Sequence, residues 1–107
     1  RVKSLNWALK LPDMQQQAIA YSNYAVALRN NKNYQEAEKA FLDGLACAEQ
    51  AKDIAQINSI KLRLAENATL SNDPDTARLW LKRVSVEGLP SVQVSRYRKL
   101  VKVNAPH

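Results

Sequence analysis

The chain has 107 residues, of which 46% are hydrophobic and 24% charged, a composition that supports one modest core and is typical of a soluble domain. Its single Cys, its single His at the last position and its two Gly exclude a disulfide framework and a multi-thiolate metal site, and they disfavour an all-β fold. The net charge of +6 is concentrated at the two ends. We therefore expect a helical domain that is not an enzyme, holds no cofactor or metal, and is not inserted in a membrane.

The first segment, residues 1–12, carries three bases and no acid. Val2, Leu5 and Leu9 share helical spacing, and Pro12 ends the run, which favours a short helix. The chain begins with Arg1, and no apolar core of a signal peptide follows it. We expect residues 1–12 to be the tail of a preceding repeat in a fragment of a longer, cytoplasmic protein.

The next two segments are predicted to form an antiparallel helix pair, near 13–31 and 34–51. Between them lies a polar run rich in turn formers. Asn33 is the predicted N-cap of the second helix, and Glu36 completes a capping box. Small residues on the second helix leave room for close packing. The expected buried stripes are Met14, Ala18, Tyr21, Ala25 and Leu28, followed by Ala37, Phe41, Gly44, Leu45 and Ala48.

A second pair is predicted near 54–71 and 74–86, followed by a last helix near 91–103. Asp53 is the expected N-cap of the first of these helices, and Asp73-Pro74 marks the start of the next. The break at 87–90 contains Gly and Pro. Tyr21, Tyr24, Tyr34 and Trp80 are at core spacing, and Cys47 is interpreted as a buried structural thiol. The inward residues of the last helix are Val94, Tyr97, Leu100 and Val101.

The two pairs repeat with a constant offset along the chain. Ala25 corresponds to Ala65 and Ala37 to Ala77, and the same offset relates two further pairs of positions, Phe41 with Leu81 and Gly44 with Val84. A constant offset across four positions indicates an internal repeat, the pattern of helical repeat proteins.

In these residues the sequence resembles a tetratricopeptide repeat. The best match is residues 21–45, with Tyr21, Ala25, Tyr34, Ala37 and Phe41 in the expected order; residues 61–84 match more loosely. The resemblance implies an all-α superhelix of stacked antiparallel helix pairs. Repeat one would span 13–51, repeat two 52–87, and a capping helix 90–103.

The repeat, at about 40 residues, is longer than the family's usual period of about 34 residues. The extra length lies around 49–57. The sequence is in this respect similar to long-period members found in bacterial signal-transduction regulators and adaptors. An unrelated bundle of four or five helices is the alternative.

In this family the first helix of each pair lines a groove that receives a peptide. Asn23 matches the position of an asparagine that holds a peptide backbone, and Arg63 is its equivalent in the second pair, where a guanidinium can form a forked contact with a carboxylate. Ser59 stands where carboxylate-binding co-chaperones carry Lys, so the resemblance does not extend to their specificity. The other residues expected to line the groove are Ser22, Val26, Arg29 and Glu66.

Two classes of function follow. The first is a protein–protein interaction scaffold that binds a peptide of a partner and serves as the regulatory or sensory part of a larger signalling or transcription protein, with oligomers possible through exposed repeat ends. The second is nucleic-acid contact through the basic carboxyl-terminal segment, which requires clustered bases and predicts strong salt dependence. The bases proposed for it are Arg96, Arg98, Lys99 and Lys102.

Overall fold

The computed structural model describes residues 14–105, and the regular structure of that part is entirely helical. This confirms the predicted all-α fold, with α1 packed on α2, α3 packed on α4, and a last helix after them. The predicted helix within residues 1–12, and His107, lie outside the described residues. The helices are α1 (Met14–Asn30), α2 (Tyr34–Ala51), α3 (Ile54–Leu70), α4 (Pro74–Arg83) and α5 (Ser91–Val103), with a 3-10 turn at Val86–Gly88.

The helix bounds follow the internal repeat. The first residues of α1 and α3 are Met14 and Ile54, and their last residues are Asn30 and Leu70. Likewise, α2 begins at Tyr34 and α4 at Pro74. All three pairs of bounds have the same offset as the sequence repeat, which is therefore also a repeat of local structure.

The turns that end the first three helices share one geometry. Lys32, Lys52 and Asn72 have positive φ values of 66°, 55° and 66°. The N–H of the following residue bonds back across the turn, from Asn33 to Leu28 O and, at the equivalent place in the second pair, from Asp73 to Ala68 O. This is the Schellman arrangement, which satisfies the last carbonyls of a helix and reverses the chain in a few residues.

The N-caps differ between equivalent positions. The Asp73 carboxylate accepts hydrogen bonds from the Thr76 N–H at 3.2 Å and the Thr76 hydroxyl at 2.7 Å. Asp53 similarly accepts from the Gln56 N–H at 3.2 Å. The caps predicted at Asp53 and Asp73 are confirmed. The capping box predicted at Asn33 is wrong, because the Asn33 side chain forms no cap hydrogen bond.

Small residues let α1 and α2 approach closely. Ala18, Ala25 and Ala37 are fully buried, and a Cβ on Gly44 would lie 3.1 Å from Tyr21 Cβ and 3.2 Å from the Ala18 carbonyl oxygen. We call this contact the α1–α2 seam. It merges with a core whose largest fully buried side chains are Phe41, Ile60, Leu62 and Leu64.

The fourth helix is shorter than predicted. It ends at Arg83 instead of residue 86, because Val84 turns to extended backbone at φ −78°, ψ 131° and buries its side chain. The Ser85 N–H then donates to the Asn58 side-chain oxygen at 3.1 Å instead of continuing the helix.

Two predicted core positions are also wrong, since Tyr24 is 59% exposed and Val101 is 41% exposed.

The helices form two layers. Helix α3 contacts α1 on one side and α5 on the other, whereas α2 and α4 pack behind this row. The three helices of the row run parallel, as cross-helix bonds show: Gln15 to Asp53 joins the starts of α1 and α3, and Asn104 to Thr69 joins the ends of α5 and α3. The described part measures 47 × 29 × 19 Å.

Candidate functional site

The row of α1, α3 and α5 brings together the candidate groove residues of the first and second pairs. On α3, Ser59, Arg63 and Glu66 follow each other at helical spacing and are all partly exposed. Arg29 reaches this stripe from α1, and Arg96 reaches it from α5. We define these five residues and Lys99 as the α1–α3–α5 face.

Glu66 is the central carboxylate of this face. Its Oε1 accepts a charge-assisted hydrogen bond from Arg29 Nη1, and its Oε2 lies 3.7 Å from Arg96 Nε. The Glu66 side chain is 22% exposed and that of Arg29 15% exposed. One carboxylate therefore ties both neighbouring helices to α3 through partly desolvated contacts.

Arg63 lies among the same groups but pairs with none of them. Among the described residues it has no hydrogen-bond acceptor and no ion-pair partner. Burial lowers the pKa of the Arg63 guanidinium, and the charges of Arg96 and Arg29 lower it further, with Glu66 acting in the opposite sense. A guanidinium offers five donors, so Arg63 is a charged group whose donors are left for a ligand or for solvent.

The other predicted groove residues are placed as follows. Asn23 is exposed on α1, and Val26 is partly buried against the core. Ser22 is 7% exposed, so it adds almost no open surface. The Ser59 hydroxyl donates to the Gln93 side-chain oxygen at 2.9 Å, which joins α3 to α5.

An open cavity of about 470 Å³ lies between α3 and α5, beside Glu66. Its lining combines the aliphatic side chains of Leu70, Leu100 and Val103 with the positive groups of Arg96 and Lys99. Leu70 and Val103 are more than half exposed. The cavity therefore offers apolar surface next to positive charge.

The carboxyl-terminal bases do not share one direction. Successive residues turn by about 100° round a helix, so Arg98 and Lys102 point well away from Arg96, whereas Lys99 lies near it. Arg78 donates to the Asn104 carbonyl at 2.8 Å and pairs with Asp75. The four bases predicted as one patch are thus divided between the α1–α3–α5 face and the outer side of α5.

The charges also divide by layer. Helices α1, α3 and α5 contain seven Lys and Arg residues and one acid, Glu66. Helices α2 and α4 of the other layer together contain five acids and four bases. Among the described helices, the excess of positive charge therefore lies in the row of α1, α3 and α5.

Chemistry-bearing groups are few in the described part of the chain. Cys47 is buried, and burial, followed by the charge of Asp43, raises the pKa of its thiol. No group of three or more His, Cys, Asp and Glu side chains within residues 14–105 could hold a metal ion. None of the helices described in that range has the length and apolar character needed to cross a membrane.

The sequence did not indicate that Arg96 and Lys99 belong to the same site as Arg63. The available signal was their spacing of three residues on α5, which puts them on one stripe. The parallel alignment of α5 beside α3 could not be predicted from the sequence.

Comparison with known proteins gave no relative: no protein-family model, no curated protein and no solved structure matches the chain. The functional conclusion therefore depends on the geometry of the described residues.

Proposed function

We propose that this chain is a protein–protein interaction scaffold of the tetratricopeptide-repeat type, and that its α1–α3–α5 face binds a peptide segment of a partner protein. In this role it acts as the regulatory or sensory part of a larger signalling or transcription protein. The observation that carries the proposal is Arg63, a partly buried guanidinium that has no internal partner among the described residues and lies one turn of α3 before Glu66, which lines an open cavity between α3 and α5.

The residues on this face suit recognition better than packing. Buried charged groups in a protein are normally paired, because an unpaired charge in a poorly solvated site is costly. Glu66 is already engaged by Arg29 and Arg96, so it is not free to serve Arg63 alone. Asn23, exposed on α1, adds an amide that can both donate to and accept from a peptide backbone.

The test is selection from a library of random short peptides displayed on phage, followed by binding titrations. The wild-type chain is compared with the double variant Asn23→Ala, Arg63→Ala. The melting temperature should stay nearly the same, because Asn23 is exposed and Arg63 has no internal partner among the described residues, and substitutions that break no internal contact usually matter by less than about 0.5 kcal/mol. Binding of the selected peptides should weaken by about 2 kcal/mol or more.

The matched control is Asn31→Ala with Arg98→Ala, which removes the same two residue types away from the face. Asn31 and Arg98 are both exposed, and this variant should keep wild-type affinity. Equal peptide capture by wild type and the Asn23, Arg63 variant would reject the proposal, as would a selection that yields no binder.

A second candidate function is nucleic-acid contact through α5. The specific observation is that α5 carries four bases and no acid within 13 residues. This predicts that binding of a labelled duplex falls steeply with salt and is abolished by changing Arg96, Arg98, Lys99 and Lys102 to Gln. The groove variant would then bind the duplex as wild type does.

A further inference from the structure

Positive charge is left over at one place on the α1–α3–α5 face. Arg29, Arg63 and Arg96 surround Glu66, which pairs with Arg29 and Arg96 but not with Arg63. Three guanidinium groups against one carboxylate leave two positive charges in a partly desolvated cluster. Like charges held close together repel each other, and burial weakens the screening by water.

The described helices of this row offer no second carboxylate to balance the cluster. Glu66 is the only acid in α1, α3 and α5. The next carboxylate along α3 is its N-cap, Asp53, which is about 20 Å away at about 1.5 Å per residue and already accepts from Gln15 and Gln56. A carboxylate that balances the cluster would therefore have to come from outside these helices.

Apolar surface adjoins the positive cluster. The α3–α5 cavity begins at Glu66 and Arg96 and continues over Leu70 and Val103, which are 52% and 61% exposed. Lys99 stands on its rim. A ligand that fits both parts combines an anionic group with an aliphatic side chain.

We propose that the segment recognised on the α1–α3–α5 face is an acidic peptide, which places a carboxylate between Arg63 and Arg96 and a neighbouring aliphatic side chain in the α3–α5 cavity. This inference rests on the proposed function and specifies its ligand class. The arginine set comes from the packing of α1 and α5 against α3, since Arg29 and Arg96 join Arg63 only in the folded chain. Guanidinium groups bind carboxylates through paired, nearly parallel hydrogen bonds.

An acidic peptide fits this surface better than a nucleic acid does. Single-stranded nucleic acids are usually bound by aromatic side chains on which the bases stack. Besides the charged side chains of Glu66, Arg96 and Lys99, the cavity is lined by aliphatic and small side chains, and the residues that line it include no aromatic ring. Aliphatic lining suits a Leu, Ile or Val side chain of a peptide.

The peptide selection described above tests this inference through the composition of the recovered sequences. Peptides selected by the wild type should be enriched in Asp and Glu adjacent to Leu, Ile or Val. Synthetic versions with every Asp and Glu replaced by Asn and Gln should bind about tenfold more weakly or worse, measured by fluorescence anisotropy. Raising the salt concentration should reduce the difference between the two versions.

Two variants assign the preference to the cluster. Arg63→Glu breaks no internal ion pair and should lose the acidic enrichment, and Arg63→Gln should weaken binding of the acidic peptide about tenfold. Arg98→Gln removes the same charge on the outer side of α5 and should bind as wild type does. Circular dichroism melts of each variant confirm that it is folded.

The outcomes separate the two proposals. Binders that depend on Asn23 and Arg63 but show no acidic enrichment would overturn the acidic-peptide inference and leave the scaffold function standing. A selection without binders that depend on this face would overturn both. Acidic binders that lose affinity equally in Arg63→Gln and Arg98→Gln would also overturn the inference, because they would report net charge and not the cluster.

Discussion

The α1–α2 seam and the α1–α3–α5 face share helix α1 but follow the internal repeat differently. At two seam positions the residue recurs in the second pair: Ala25 and Ala65 are both fully buried, as are Ala37 and Ala77. The other two seam residues, Ala18 and Gly44, correspond to Asn58 and Val84. A small residue at the recurring positions lets the two helices of a pair pack closely. The seam positions are constrained by packing.

At the predicted groove positions of α1 and α3, the equivalent residues differ in charge and size. Asn23 corresponds to Arg63, and Val26 corresponds to Glu66. Val26 packs against the core, but Asn23 is exposed and Arg63 and Glu66 are partly exposed, so packing does not fix the residue type at these three positions. The difference teaches that recurring small residues mark tight contacts within a helix pair, whereas the exposed groove positions are not held to one residue type.

The largest expected effect comes from Phe41 of α2, one of the largest fully buried side chains of the core with which the seam merges. Phe41 is fully buried, whereas its neighbour Leu42 is 41% exposed. Phe41→Ala should lower the free energy of unfolding by about 3–5 kcal/mol through lost burial and a cavity. Leu42→Ala, the control, should cost far less in the same urea titration. Phe41→Leu keeps most of the volume and should fold even if the alanine variant does not.

Overpacking the seam should cost less. Ala37 is fully buried against its neighbours, so Ala37→Leu should destabilise the chain by about 1–3 kcal/mol. Ala46→Leu makes the same change at an exposed position of the same helix and should be nearly neutral. Ala77→Leu should behave as Ala37→Leu does, because the repeat makes the two sites equivalent. A melting temperature of Ala37→Leu equal to that of Ala46→Leu would contradict the tight seam.

The fold could be predicted from sequence because its determinants are local. Apolar residues at helical spacing, Asp53 and Asp73 as caps, and polar turns fix where helices begin and end within a few residues. The end of α4 was missed because a long-range bond decides it: Asn58 on α3 accepts from the Ser85 N–H. Tyr24 was misplaced because helical spacing alone does not identify the side of α1 that lacks a neighbour.

A smaller loss of stability is expected from substituting the N-cap residues, which occupy equivalent positions in the two pairs but do not form equivalent hydrogen bonds. Asp73 accepts from the Thr76 N–H, whereas Asn33, its equivalent in the first pair, makes no side-chain cap bond. Asp73→Ala should therefore cost about 1 kcal/mol of stability. Asn33→Ala should cost only a few tenths of that, measured by thermal denaturation under the same conditions. Equal losses would show that Asn33 caps α2 in solution.

The candidate site was less accessible to sequence reasoning. Asn23, Arg63 and Glu66 could be placed on one side of their helices from spacing alone. The alignment of three helices decides the rest of the site. It makes Arg29 and Arg96 share Glu66, and it leaves Arg63 without a partner among the described residues. Such alignment depends on contacts between different helix pairs, far apart in the chain, which no local pattern encodes.

The smallest expected change in stability is at Arg63. Its sign distinguishes a residue of the α1–α3–α5 face from a buried residue of the seam. Because Arg63 has no internal partner among the described residues and lies near two other guanidinium groups, Arg63→Gln should leave stability within about 0.5 kcal/mol of wild type or raise it slightly. Arg29→Gln removes the hydrogen-bonded partner of the partly buried Glu66 and should cost more, about 1 kcal/mol or above. Added salt should stabilise the wild type more than Arg63→Gln, because it screens the repulsion that the variant lacks. A loss at Arg63 larger than that at Arg29 would mean that the guanidinium holds the fold together instead of being available to a ligand.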